Sequence, residues 1–150
     1  MESNKPVHVS DEDFDFLLLH NNVSKVLEIG TGKSTRALVQ SGAEVHTIDR
    51  VYRPLDFQAE QYIMESKEFW ETFPYRGFDL YFIDASIGTG DAEEIFKRAS
   101  NKFKIIFHDY RRYDKGVHNH KIMIKYLFDK CHIDESTGGE CCSLLECEKL

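Results

Sequence analysis

The chain of 150 residues has no long hydrophobic run. No apolar stretch approaches the roughly 20 residues that a helix needs to span a bilayer, and residues 1–15 are too polar and acidic for a signal peptide. We therefore expect a cytoplasmic protein with no membrane partner. The chain also has no repeat, linker or low-complexity tract, so its length favours one domain over residues 1–150.

Positive charge is scarce as well. The chain has 19 Lys and Arg residues against 26 Asp and Glu residues, which gives a net charge of -7. Broad nucleic-acid binding needs a positive field. We therefore expect no nucleic-acid partner. One segment departs from this balance, with a single acid, Asp114, among the basic residues Arg111, Arg112, Lys115, Lys121 and Lys125. It is either a solvated helix face or a basic rim that favours an acidic small molecule.

None of the four cysteines belongs to a Cys-x-x-Cys pair. The adjacent Cys141 and Cys142 would point to opposite faces of a strand. This spacing does not favour a zinc site or a disulfide framework. We expect reduced cysteines that pack as small hydrophobic side chains.

Apolar strand patterns alternate with helix patterns along the chain, which predicts βαβ units and a parallel α/β sheet. The predicted strands cover residues 23–29, 44–48, 61–64, 78–83, 104–107, 130–134 and 142–146. The predicted helices cover residues 11–20, 34–41, 55–60, 67–73, 91–99 and 117–128. The last two strands are joined too tightly for a crossover, so they should form an antiparallel hairpin.

The most informative segment is Val-Leu-Glu-Ile-Gly-Thr-Gly-Lys-Ser-Thr at residues 26–35. A strand pattern stops at Gly30 and Gly32, and a helix pattern follows at once. Glycines let the backbone approach a ligand closely, and a helix N-terminus offers unpaired N–H groups. Dinucleotides, nucleoside triphosphates and S-adenosylmethionine are all bound at such turns, so other residues must decide among them.

Two of these cofactor classes fit the turn poorly. A dinucleotide turn has the pattern G-x-G-x-x-G, and Thr35 stands where the third glycine would be. A phosphate-binding P-loop has the pattern G-x-x-x-x-G-K-[ST]. Lys33 and Ser34 match its end, but Leu27 occupies the position of its first glycine and lies within the strand pattern. Residues 78–84 could still serve as a Walker B strand, so a small P-loop protein stays an alternative.

Three segments support the third class. Val-Leu-Glu-Ile-Gly-Thr-Gly resembles motif I of class I S-adenosylmethionine-dependent methyltransferases, with Glu28 at the family's acidic position. Phe-Asp-Leu-Tyr-Phe-Ile-Asp at 78–84 resembles the family's fourth-strand signature. His-Asp-Tyr at 108–110, followed by Gly-Val at 116–117, resembles a branch of small O-methyltransferase-like proteins. The resemblance runs from about residue 9 to 145, and it implies a three-layer α/β/α, Rossmann-like fold whose mostly parallel seven-stranded sheet ends in an antiparallel hairpin.

The resemblance also implies a cofactor site. In the family, the acidic residue of motif I lies near the amino-acid end of the cofactor and contacts it through water or backbone amides. An acidic residue after the second strand, here Asp49, would hold the ribose hydroxyls, and Glu65 and Ser66 fall beside the adenine. Trp70 either packs nearby or belongs to the core. The predicted cofactor residues are Glu28, Gly30, Thr31, Gly32, Ser34, Asp49, Arg50, Glu65, Ser66 and Asp84.

Asp84, His108 and Asp109 are the predicted catalytic residues, because they follow parallel strands at the edge where ligands bind. Catechol-type relatives hold magnesium with equivalents of Asp84 and Asp109 and an Asn, where this chain has Tyr110. They also carry a lysine base where this chain has Ile87. We predict a Mg or Mn site of Asp84, Asp109 and His108, in which the imidazole suits manganese better than magnesium. A general-base role and a loop-orienting role for His108 both stay open.

Together these features predict an S-adenosylmethionine-dependent methyltransferase that acts on an oxygen of a small, anionic acceptor. A homodimer is one candidate assembly, because a minimal fold with an open substrate edge often completes its pocket with a second copy, and the sequence leaves the oligomeric state open. The alternatives are an S-adenosylmethionine-binding protein without methyltransferase activity and the small P-loop protein.

Overall fold

The computed structural model describes residues 10–19, 25–40, 42–108, 114–139 and 142–150. Within these residues lie five helices and seven strands. In chain order they are α1 (Asp11–Leu19), β1 (Lys25–Ile29), α2 (Lys33–Gln40), β2 (Glu44–Asp49), β3 (Glu60–Ile63), α3 (Ser66–Thr72), β4 (Phe78–Ile83), α4 (Thr89–Arg98), β5 (Ala99–His108), α5 (Asp114–Leu127), β6 (Cys131–Gly138) and β7 (Cys142–Lys149).

The strands form one sheet in the order β3-β2-β1-β4-β5-β7-β6. The pairs from β3 to β5 are parallel, and β7 is antiparallel to both β5 and β6. This confirms the predicted seven-stranded, mostly parallel sheet and its antiparallel hairpin. The connections turn in opposite directions on the two sides of β1 and β4, and such a reversal leaves a crevice at the carboxyl ends of the strands.

Helices cover both faces of the sheet and complete three layers. On one face, Leu27 and Tyr81 share a buried cluster with Phe69 of α3, Ile95 of α4 and Met123 of α5. The second cluster, on the other face, joins α1 and α2 to the sheet through Phe14, Phe16, Val26, Leu38, Leu80 and Ile106. Neighbouring residues of a strand point to opposite faces, which is why Val26 and Leu27 belong to different clusters.

The predicted helix over residues 55–60 is wrong, because the chain from Val51 to Ala59 forms no helix. Leu55, Phe57 and Ala59 are half-buried, while the residues between them are exposed. This period of two fits an extended segment rather than a helix. Phe57 lies under the guanidinium of Arg36, 4.9 Å from its ring centre.

The remaining predicted elements are present with shifted ends. β5 starts earlier than predicted because Lys102 and Phe103 already pair with β7. At the start of α1, the hydroxyl of Ser10 accepts a hydrogen bond from the amide of Asp13 at 3.1 Å, as expected of a helix cap. The predicted ends at residues 20 and 23 lie outside the described residues.

Three of the four cysteines are described, and all three are buried and outside any disulfide. Burial, with a further contribution from Cys131, raises the pKa of the Cys147 thiol to about 12. Cys131 and Cys147 therefore pack as small hydrophobic side chains, as predicted. Cys142 also packs in the core, but its thiol donates to Asp13, and Cys141 lies outside the described residues. Of the helices described, none has the length and apolar character needed to cross a membrane.

Candidate functional site

The glycine turn after β1 is held between the ends of β2 and β4. The amide of Gly30 donates to the carbonyl of Ile48, and the amide of Asp84 donates to the carbonyl of Ile29, each at 2.8 Å. Gly30 has φ +108°, and a Cβ there would lie 3.2 Å from the carbonyl carbon and Cβ of Asp84. Both the backbone conformation and the close approach to Asp84 therefore require glycine.

Glu28 is fully buried beneath this turn. Its carboxylate accepts hydrogen bonds from the hydroxyls of Ser34 and Thr35, and from that of Thr47 at 2.7 Å. Burial, with a smaller contribution from the charge of Asp84, outweighs the three hydroxyl contacts and raises the pKa of Glu28 to about 7. Glu28 thus joins β1, β2 and α2 and supports the turn from below. It does not line the cavity described next, so the geometry gives it no direct place against a cofactor.

A cavity of about 480 Å³ opens at the carboxyl ends of β1, β2 and β4, beside the glycine turn. Its volume lies within the range of small-molecule sites. The residues that line it are Ile29, Gly30, Ile48, Asp49, Arg50, Met64, Glu65, Ser66, Ala85 and Ser86. Five of the ten predicted cofactor residues are among them: Gly30, Asp49, Arg50, Glu65 and Ser66.

Asp49 ends β2 and holds both the turn and the loop that follows it. Its Oδ2 accepts from the amide of Thr31 at 3.2 Å and from Nε of Arg53 at 2.9 Å. Its Oδ1 accepts from the amide of Val51 at 3.0 Å. Across the rim, the exposed side chains of Arg50 and Glu65 approach to 3.9 Å. The cavity rim therefore carries charges of both signs.

The other predicted residues of the turn shape it without lining the cavity. The hydroxyl of Thr31 lies 2.7 Å from that of Thr47, and the amide of Gly32 donates to the hydroxyl of Thr35 at 3.0 Å. Ser34 is buried, with its hydroxyl on Glu28. These contacts fix the backbone of the turn, which in turn places Gly30 at the cavity.

Ser66 lines the cavity, but its hydroxyl is engaged elsewhere. It donates to Oδ1 of Asp91 at 2.7 Å, and the indole N–H of Trp70 donates to the same oxygen at 2.7 Å. The guanidinium of Arg98 lies 4.9 Å from the Trp70 ring. Trp70 therefore links α3 to α4, the structural role that the sequence left open beside a place near the adenine.

The apolar part of the cavity wall was not predicted from the sequence. Ile29, Ile48 and Met64 line the cavity at or just beyond the ends of three strands, and Ala85 follows β4. Their positions at strand ends were the available signal. The sequence motifs at these strand ends point to polar residues, whereas part of the wall is apolar.

Asn119 of α5 was missed as well, and it holds the cavity wall in place. Its side chain is fully buried. Its Nδ2 donates to the carbonyl of Ala85 at 2.9 Å, and its Oδ1 accepts from the amide of Ile87 at 3.0 Å. Because α5 is distant in sequence from this loop, no local pattern could have pointed to the contact.

His108 lies between two carboxylates at the end of β5. Its Nδ1 is 3.2 Å from Oδ1 of Asp84, and its Nε2 is 3.2 Å from Oδ2 of Asp13. His108 and Asp13 are buried, while Asp84 is partly exposed. Both contacts are hydrogen bonds when both ring nitrogens carry protons, or when one carboxyl is protonated and donates to a neutral ring. The arrangement fits an orienting role for His108.

The same arrangement bears on the predicted metal site. A metal would need a nitrogen lone pair of His108, and both nitrogens face carboxylate oxygens. In the part of the chain that the structure describes, no three His, Cys, Asp or Glu residues are grouped to hold a metal. Asp109 lies outside the described residues, with Tyr110, Arg111 and Arg112. The divalent cation stays a prediction, and the described residues do not fit it.

Comparison with known proteins shows which solved structures share this architecture. No protein-family model and no curated protein matches the chain, whereas solved structures match it over nearly its whole length. A methyltransferase from Geobacter sulfurreducens is 15% identical with a TM-score of 0.71, over 99% of this chain and 83% of that one. A caffeoyl-CoA O-methyltransferase-like protein from Staphylococcus aureus is 18% identical with a TM-score of 0.65, over 98% and 88% of the two chains.

A third match, a Streptococcus mutans protein solved in complex with SAH, is 10% identical with a TM-score of 0.58. It covers 91% of this chain and 94% of its own. The chain has the class I methyltransferase fold. The 480 Å³ cavity lies where the sheet order of this methyltransferase fold reverses, beside its glycine turn. Methyltransferases that act on RNA also match, so the fold leaves the acceptor open.

Proposed function

We propose that the chain binds S-adenosylmethionine in the 480 Å³ cavity and transfers its methyl group to an oxygen of a small acceptor. The observation that carries the proposal is the position of this cavity against Gly30 and Asp49 within a class I methyltransferase fold. The Streptococcus mutans protein of the same fold, solved with SAH, supports the choice of cofactor.

The cavity lining suits an adenosyl amino acid. Ile48, Met64 and Ala85 offer an apolar surface to a purine ring, and Gly30 lets a ligand approach the backbone. Asp49 ends β2, where a carboxylate can accept from ribose hydroxyls. Oδ2 already accepts from Thr31 and Arg53, whereas Oδ1 accepts from the amide of Val51 and keeps acceptor capacity.

The backbone of the turn argues against a triphosphate. A P-loop aims free amides at phosphate oxygens. Here the amide of Gly30 donates to Ile48, that of Thr31 donates to the carboxylate of Asp49, and that of Gly32 donates to Thr35. All three amides are used within the protein, and a carboxylate stands where a phosphate would have to approach.

Calorimetry tests the cofactor. We expect S-adenosylmethionine and S-adenosylhomocysteine (SAH) to bind, and ATP and NAD not to bind. Asp49→Asn should weaken SAH binding by about tenfold, or about 1.4 kcal/mol, because an amide accepts hydroxyl hydrogen bonds less well than a carboxylate. Asp56→Asn is the matched control: Asp56 is exposed, pairs with Arg36 and lies outside the cavity. Binding of ATP alone would overturn the proposal.

We further infer that the acceptor is small and anionic. The basic residues of 111–125 support this: the segment follows β5 in the chain, and its Lys121 and Lys125 are exposed on α5. Methyl transfer from labelled S-adenosylmethionine to small hydroxy acids, with their neutral amides as matched acceptors, tests it. Preference for the neutral acceptors would contradict the anionic class.

A binding protein without methyltransferase activity is the second candidate. One observation favours it: both ring nitrogens of His108 face carboxylates, so this side chain offers no base in the described arrangement. SAH binding without methyl transfer to any acceptor of the panel would favour the second candidate over the first.

A further inference from the structure

The first helix reaches the edge of the cavity through a buried carboxylate. Asp13 lies in the first turn of α1, yet its side chain is fully buried. Its Oδ2 faces Nε2 of His108 at 3.2 Å, and its Oδ1 accepts from the thiol of Cys142 at 3.4 Å. Burying a carboxylate is costly unless it is paired. These contacts therefore tie α1 to the ends of β5 and β7.

The β6–β7 hairpin fixes the other side of α1. A Cβ at Gly138 would lie 1.9 Å from Cε1 of Phe16, and one at Gly139 would lie 2.4 Å from Oδ1 of Asp13. Both distances are too short for any side chain. α1 therefore rests directly on the backbone of the hairpin, and this contact sets the position of Asp13.

At its other end, the same set of contacts reaches the cavity. Nδ1 of His108 faces Oδ1 of Asp84 at 3.2 Å. Asp84 is packed against Gly30 of the turn, and the residues that follow it, Ala85 and Ser86, line the cavity. A displacement of Asp84 therefore moves the glycine turn and the cavity wall.

We propose that Asp13 and His108 are positioning residues for the cavity, and that α1 is part of the ligand-binding unit through the relay Asp13–His108–Asp84. When α1 is seated on the hairpin, the relay holds Asp84 and with it the turn at Gly30. Ligand binding and the docking of α1 then stabilise each other. The relay itself follows from the contacts of the protein alone; naming SAH as the ligand rests on the proposed function.

Hydrogen exchange of the ligand-free protein tests the relay directly. Asp13→Asn keeps the shape of the side chain and removes its charge. We expect the amides of Asp84 and Ile87, which donate to Ile29 and Asn119, to exchange about tenfold faster in this variant. Asp15→Asn, an exposed acid of the same helix, should leave them unchanged. If Asp13→Asn speeds exchange only within α1, the proposal is overturned.

A steric variant tests the same relay without changing charge. Gly138→Ala places a methyl group on the Phe16 ring and should displace α1. The amides of Asp84 and Ile87 should again exchange faster, and the double variant Gly138→Ala, Phe16→Ala should recover part of the protection. Gly90→Ala is the control, because nothing lies within 4 Å of a Cβ there. Unchanged exchange in Gly138→Ala, with α1 itself exchanging faster, would contradict the relay.

Binding of SAH gives a measurement that a purely structural role of α1 would leave unchanged. Bound SAH should slow exchange within α1 of the wild type, and Asp13→Asn and Gly138→Ala should bind SAH about tenfold more weakly than their controls. If SAH binds all four variants equally, the relay is wrong and the proposed function stands. If the wild type does not bind SAH, the proposed function fails, and the ligand-free exchange still decides the relay.

Discussion

Asn119 shows how one buried side chain can control a cavity that it does not line. It bonds to the carbonyl of Ala85 and the amide of Ile87. Asn119→Ala leaves both backbone groups unpaired, which should cost about 1–3 kcal/mol of unfolding free energy. Because the cavity wall loses its anchor, SAH affinity should fall by about tenfold. Urea unfolding and calorimetry measure the two effects.

Asn101→Ala is the matched control, since Asn101 is an exposed residue of β5. It should change neither the unfolding free energy nor the affinity by more than about 0.5 kcal/mol. A second variant separates the two hydrogen bonds. Asn119→Asp keeps the acceptor for Ile87 but turns an oxygen toward the carbonyl of Ala85, so an affinity equal to that of the wild type would contradict the anchoring role.

At the scale of elements, Arg98 joins α4 to α3 and to the segment before β4. Its side chain is buried, and its guanidinium donates to the carbonyls of Trp70, Phe73 and Tyr75. It also pairs with Glu94 one turn earlier at 3.0 Å. One guanidinium thus pairs with three backbone carbonyls of α3 and the segment after it.

Arg98→Met should lower the free energy of unfolding by about 2–4 kcal/mol, because buried carbonyls and Glu94 lose a charged partner. Arg98→Lys should recover only part of the loss, since an ammonium cannot reproduce the planar set of donors. Lys97→Met serves as the control: Lys97 is exposed beside Glu93 and Glu94, and such pairs contribute at most about 1 kcal/mol. Equal losses at the two positions in denaturant unfolding would contradict the role of Arg98.

The sequence predicted the elements wherever a buried face gave a clear period. β4 is a nearly continuous apolar run, and its predicted ends are those of the structure. The helix over residues 55–60 was wrongly predicted, because the three apolar residues of this segment are half-buried at alternate positions. Over so short a segment, a strand period of two and a helix period of 3.6 are hard to tell apart. The lengths of β6 and β7 depend on pairing between strands, which a single segment does not record.

The site was predictable to a similar degree. The glycine turn and Asp49 lie at strand ends, where the parallel-sheet rule places ligands. What Glu28 does could not be read from its position, because its partners Ser34, Thr35 and Thr47 come from two other elements. The contact between Asp13 and His108 joins residues far apart in sequence, so only the folded chain brings them together.

At the scale of the whole molecule, Glu28 links folding to pH. It lies at the centre of the sheet, where β1, β2 and α2 meet, and it is fully buried. Burial raises the pKa of its carboxyl from 4.5 to about 7 in the folded protein. The folded state therefore holds this proton over a range of pH in which the unfolded chain has released it.

The free energy of unfolding should for this reason fall as pH rises from about 4.5 to 7, by about 3 kcal/mol from Glu28 alone. Below this range the carboxyl is protonated in both states, and above it the loss is complete.

Glu28→Gln removes the titration and keeps a carbonyl oxygen for the hydroxyls. Urea unfolding at pH 4, 5, 6, 7 and 8 should show the wild type losing stability relative to Glu28→Gln through this window. Glu93→Gln, at an exposed acid of α4, is the control. A constant difference between the wild type and Glu28→Gln would mean that Glu28 titrates alike in the folded and unfolded states, with the three hydroxyls offsetting its burial.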